Sequence, residues 1–247
     1  MIGIQYSNFK PKKMKHASLL YLCILGGLFL FSHCKKEEEK PTPSDVWDIE
    51  KDGIPKIVES PYLPIATLQR ISRFRSSVGH DYSDAFEHCC SMKHYFEPVA
   101  KLDWSLIEIS APVTGSVTRV ETEWAGTKLE IDSEKYPAFR FAIFHINPNR
   151  TFQVGDKINA GELLGRHIGN QTYSDISVIV NDPTRQGRFV SYFDVMPDSL
   201  FADFKSRGVP DRSTLIISKD EREAFPLMCH GDTFTSTDSL QSWVELR

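Results

Sequence analysis

The 247-residue chain has no glycine-rich phosphate loop, no internal repeat and no long stripe of basic residues. Its formal net charge is -4. With no basic footprint and no recognised nucleic-acid motif, nucleic acid is excluded as an expected partner. Cysteine is scarce, five residues in all, and no Cys-x-x-Cys spacing occurs among them. That removes the usual signature of a cysteine-rich zinc site. The longest apolar run, Ala17 to Phe31, falls short of the roughly twenty residues that cross a bilayer as a helix.

What that run does fit is an export signal. Lys10, Lys12, Lys13 and Lys15 form a basic region ahead of it, and it ends at Ser32-His33-Cys34. A cysteine directly after an apolar signal core resembles the processing site of bacterial lipoproteins, although His33 replaces the small residue usual before that cysteine. The resemblance implies a signal peptide over 1–33 and lipidation of Cys34. A plain signal peptide or an uncleaved signal anchor are the alternatives. The segment from Lys35 to Ser44 carries no apolar residue, so it cannot bury surface. Residues 34–45 then read as a lipidated cysteine and a solvated tether. The expected location is a bacterial cell envelope, on a membrane reached through the N-terminal lipid.

About 200 residues remain, enough for one globular domain with a sizeable core. They contain Cys89, Cys90 and Cys229. In an oxidising compartment, one disulfide from the 89/90 pair to Cys229 is expected. A bond between adjacent Cys89 and Cys90 would strain the required geometry.

Residues 46–196 read as mainly β. Ser116 to Val120 and Thr127 to Ile131 alternate apolar and polar residues, and Phe139 to Ile146 is a long apolar run suited to a central strand. Ile107 to Ser110, Ile176 to Val180 and Phe189 to Val195 are further strand candidates, and Thr67 to Phe74 has the spacing of a short helix. Gly155, Gly161 and Gly165 punctuate Thr151 to Ile168 as turns. Over 197–247 the character changes. Leu200, Phe201 and Phe204 fall on one face of a helix from Asp198 to Arg207 that Gly208 would stop, and Ser218-x-x-Glu221 has the form of a capping box. The expectation is an antiparallel β-sandwich or barrel with a short helical C-terminal extension.

Several motifs stand in a telling order. His80 and Asp84 are separated by three residues. Ala111-Pro112-Val113-Thr114-Gly115-Ser116-Val117 follows, then Phe144-His145-Ile146, then Val154-Gly155-Asp156-Lys157-Ile158 and Gly161-Glu162-Leu163-Leu164-Gly165. This ordered set resembles the lysostaphin-type (LytM-like) zinc metallopeptidases, which have the duplicated hybrid motif fold and cut peptide cross-links in peptidoglycan. The resemblance implies His80 and Asp84 as metal ligands and His145 as the catalytic histidine. It breaks where the family closes its site with His-x-His, because Asp175-Ile176-Ser177 occupies that strand. Residues two apart on a strand share a face, so Asp175 and Ser177 point together. Carboxylate is an acceptable zinc ligand and serine a poor one. A His80, Asp84, Asp175 set holding one divalent ion, zinc above all, is therefore an expectation. Losing the second histidine removes a proton carrier or orienting donor, typically worth ~10²–10⁴ in rate.

Each of these residues also has a plainer reading. His80 fits a loop, Asp84 a cap, His145 a core histidine bonded to backbone, and Asp175 a strand start. Ser177 has no nucleophile elbow around it. His88, Cys89, Cys90 and His94 with Cys229 and His230 form a second group of metal-competent types, for which export favours a disulfide instead. Trp104, Trp124 and Trp243 read as packing residues. Two functions follow. One is a degenerate binding or regulatory module for peptidoglycan or a partner hydrolase; the other is a metal-dependent endopeptidase of peptidoglycan cross-links. Retained His80 and Asp84 favour the second, and Ser177 the first. A surface lipoprotein acting through its C-terminal extension is a third.

Overall fold

The computed structural model describes residues 44–247. The signal segment, Cys34 and almost all of the tether lie outside the described residues. After a single helical turn, α1 (Ile49–Asp52), the chain runs through β1 (Leu68–Ser72), β2 (His94–Pro98), β3 (Glu108–Ser110), β4 (Gly115–Glu123), β5 (Gly126–Ser133) and β6 (Phe139–Pro148). It continues with β7 (Lys157–Ile158), β8 (Leu163–His167), β9 (Ser174–Asn181) and β10 (Gln186–Val190). The C-terminal part holds α2 (Asp198–Ser206), α3 (Lys219–Ala224), the hairpin β11 (Cys229–His230) with β12 (Thr233–Phe234), and β13 (Trp243–Glu245). The architecture is mainly antiparallel β, as the alternating segments predict.

One sheet dominates, in the order β13-β1-β2-β9-β6-β5-β4-β7, with β10 beside β9 and β8 joining β3 to β6. The long apolar run of β6 is explained by its place. It pairs with β5 on one side and β9 on the other, and both of its faces are covered. On one face Phe96, Leu129, Ile131, Phe141, Ile143, Ile176 and Val178 build the main core. The other face carries the side chains considered below.

Three sequence expectations are corrected. Thr67 to Phe74 is not a helix. After one 3₁₀ turn it becomes β1, because pairing with β2 and β13 on its two sides outweighs a helical spacing. The strand expected over Phe189 to Val195 ends at Val190. The C-terminal segment forms the predicted helix α2 and the Ser218-capped α3, but it also returns a strand, β13, to the sheet edge. Among the described residues no helix is long and apolar enough to cross a membrane.

Candidate functional site

Four neighbouring strands present one polar face. From β2 and the residue before it come Tyr95 and Lys93, from β9 Asp175 and Ser177, from β6 Phe144 and His145, and from β5 Lys128 and Glu130. His145 reaches this face through a bulge. Ile143 pairs with Leu129 and Ile146 with Thr127, so two β6 residues, Phe144 and His145, stand opposite Lys128 alone. A bulge re-aims side chains, and the alternation expected along β6 does not carry through it. His145 takes a left-handed backbone (φ 61) to make this turn. Such a conformation costs a β-carbon-bearing residue on the order of 1–3 kcal/mol and persists only where the surroundings hold it.

The centre of the face is Asp175, 0% exposed. Its Oδ2 accepts from Lys93 Nζ at 2.8 Å, and its Oδ1 lies 3.0 Å from His145 Nε2. The second contact is a close approach outside hydrogen-bond geometry, since Asp175 Oδ1 has no hydrogen-bond partner. His145 Nδ1–H donates to the Ala125 carbonyl at 2.9 Å, which fixes the ring. Burial pushes the His145 pKa down, but the facing carboxylate and the Ala125 carbonyl outweigh it and raise it overall. Burial likewise pushes Asp175 up, while Lys93 and His145 hold it below the ordinary carboxylate range.

Lys93 is 2% exposed, and no sequence motif assigns it a role. Its ammonium sits 3.5 Å from the centre of the Phe144 ring, 4.2 Å from that of Tyr82 and 5.8 Å from that of Tyr95. An ammonium over aromatic faces is electrostatically favoured, and more so when desolvated. The available signal was a lysine inside the run Met92-Lys93-His94-Tyr95-Phe96, at the same strand parity as Tyr95. The covering loop brings in His80 and Tyr82. Gly79 is required where that loop meets the sheet: its φ is +78, and a β-carbon there would lie 2.2 Å from the Tyr95 hydroxyl. His80 is shifted down by burial and by nearby Lys93.

Above this floor opens a cavity of about 630 Å³, lined among others by His80, Tyr82, Lys93, His145, Tyr173 and Asp232. Its rim carries Trp124 on the β4–β5 turn, 81% exposed, with its ring 6.5 Å from that of His145. The expectation that Trp124 is a packing residue is corrected: a two-residue turn holds its side chain largely in solvent, with the His145 ring as an aromatic neighbour.

The expected ligand set is not brought together. Among the described residues no three His, Cys, Asp or Glu side chains are grouped to share an ion. Asp84 is occupied as a turn cap, its Oδ1 accepting from Phe86 N and Glu87 N at 2.9 and 3.0 Å and its Oδ2 from Phe189 N at 3.3 Å. Asp175 is engaged by the Lys93 ammonium through Oδ2 and faces His145 through Oδ1. A divalent ion there would meet the Lys93 ammonium, so these residues do not fit a metal. In the second group of metal-competent residues, Cys89 is joined to Cys229 across a sequence separation of 140. Cys90 is a buried free thiol whose pKa burial pushes up to about 12.

No family model and no curated protein matches the chain. Solved structures do. A presumed glycyl-glycine endopeptidase LytM from Ruminococcus gnavus is 16% identical, with a TM-score of 0.33 over 42% of this chain. The match spans 43% of that protein, less than half its length. A variant catalytic domain of the prophage-encoded M23 protein EnpA from Enterococcus faecalis is 18% identical, covering 53% of this chain and 93% of that one at a TM-score of 0.36. A SpoIIQ–SpoIIIAH pore-forming complex matches at 12% identity and a TM-score of 0.41, over 60% of this chain and 96% of that one. The neighbours include lysostaphin-type (LytM and M23) proteins, and the likeness is one of fold.

Proposed function

We propose that the domain is a non-hydrolytic module of a membrane-anchored envelope lipoprotein, whose groove binds peptidoglycan or a partner hydrolase. The observation that carries this reading is the Lys93–Asp175 pair. In it an ammonium engages the carboxylate of Asp175, which the resemblance to the zinc peptidases would make a metal ligand. The groove is otherwise built as binding sites are, with a concave aromatic wall, a few fixed polar groups and an exposed tryptophan at the rim. The export signal and Cys34 support the envelope location, and the ordered motifs support the ligand class.

The test is sedimentation of the protein with purified peptidoglycan sacculi, together with a digest read for released peptides. Wild type should co-sediment, Trp124→Ala should bind several-fold more weakly, and neither should release peptides. Release of peptides by wild type that His145→Ala abolishes would overturn the reading in favour of a hydrolase.

A further inference from the structure

The floor of the groove is assembled as a receptor for one positive charge. Asp175 offers a fully buried carboxylate, Phe144 and Tyr82 offer ring faces, and the Lys93 ammonium lies among them at 2.8, 3.5 and 4.2 Å respectively. The arrangement holds one hydrogen bond to Asp175 and two aromatic faces, which suits a primary ammonium better than a bare ion needing several oxygen or nitrogen donors. Two other basic groups face this region. Lys128 belongs elsewhere, pairing with Glu121 and Glu130 at 3.3 and 3.0 Å and lying farther from Phe144, at 5.3 Å. His145 Nε2 lies 3.0 Å from the other carboxylate oxygen, Oδ1, which leaves Oδ2 to Lys93. A buried carboxylate without its partner is strongly disfavoured, so the site is never without a cation while Lys93 stays in place.

We propose that this is an ammonium-binding site permanently filled by the chain's own lysine, so that Lys93 is the resident cation of the groove and the domain is independent of metal. It follows that shortening Lys93 uncovers a receptor for small primary alkylammonium ions. The lost charge and the lost methylene stem can be returned together by a molecule such as propylammonium, while tetramethylammonium has the charge but no N–H for Asp175.

The experiment is thermal unfolding of the full chain in detergent, as wild type, Lys93→Ala and Lys93→Ala/Asp175→Asn, each with EDTA, zinc chloride, propylammonium chloride or tetramethylammonium chloride. The wild-type midpoint should not move with EDTA or zinc. Lys93→Ala should melt lower and be raised saturably by propylammonium, beyond any shift in wild type and beyond that from tetramethylammonium. The double variant should lose that response. Should Lys93→Ala not fold, the yield on refolding with and without propylammonium reads the same rescue. A wild-type midpoint lowered by EDTA, or a Lys93→Ala chain rescued by zinc and not by propylammonium, would overturn the proposal. These readouts involve no peptidoglycan, so they stand or fail separately from the groove's ligand.

Discussion

At the scale of single residues, the site shows which chemistry a sequence displays and which it hides. His80, His145 and Asp175 were legible because their types and order carry meaning, and all three lie at or beneath one groove. Lys93 was not, because lysine is ordinarily a surface residue and only strand pairing turns it inward. The same burial sets a pH response at His94, which is 1% exposed. Its Nδ1–H donates to the Ser72 carbonyl, and its Nε2 accepts from the Ser191 hydroxyl, both at 2.8 Å. Burial pushes its pKa down to about 4. In the unfolded chain the ring titrates near ~6.5. The unfolded state therefore takes up a proton as pH falls below that value, while the folded state does not until about pH 4. Stability from this group is complete above the unfolded pKa and is lost across that window, on the order of 3 kcal/mol in all. Urea midpoints of wild type and His94→Gln should converge as pH falls from 7 to 4.5. Parallel lines would show that the neutral ring contributes nothing to acid sensitivity.

At the scale of elements, pairing decides what local pattern leaves open. The bulge in β6 that presents His145 has no mark in the run Phe141-Ala142-Ile143-Phe144-His145, since it arises from register with β5. The hairpin β11–β12 was equally unreadable, being two residues per strand. It is nevertheless fixed beside the groove, by Cys89–Cys229 and by Asp81 N–H donating to the Asp232 carbonyl at 2.7 Å. A crosslink over so long a loop restricts the unfolded chain and is worth about 2–5 kcal/mol. Reduction, or Cys229→Ser, should lower the melting midpoint and make the 229–234 region a site of early proteolytic cleavage, which limited proteolysis with mass mapping would read. Cys90 should stay unreactive to iodoacetamide in the reduced folded protein, because it is buried and its thiolate disfavoured. An unchanged cleavage pattern would mean that the remaining contacts alone hold the hairpin.

At the scale of the whole molecule, the β architecture was legible because strands repeat their period of two, and the central place of β6 followed from its unbroken apolar run. The standing of residues 197–247 was not legible, because helix periodicity reveals a buried face without revealing what covers it. The structure makes this segment part of the core. Phe201, Phe204, Val209 and Leu215 are buried with the sheet residues. The Arg207 guanidinium donates to the Ile65 and Leu68 carbonyls at 2.8 and 3.0 Å, and Phe74 exchanges backbone hydrogen bonds with Leu215 and Ile217. β13 then closes the edge of β1 over Arg70 to Ser72. Burying each of those four apolar side chains is worth about 1.5–3 kcal/mol. Together they rival the net stability of a domain, about 5–15 kcal/mol. A chain stopped after Pro197 would expose that apolar surface and leave β1 an open edge, a template for association with other chains. It should lack a cooperative thermal transition, bind a hydrophobic dye and aggregate, whereas the full chain melts in one step. A truncated chain that unfolds cooperatively near the full-length midpoint would show that the sheet carries its own core and that the C-terminal segment is an addition to it.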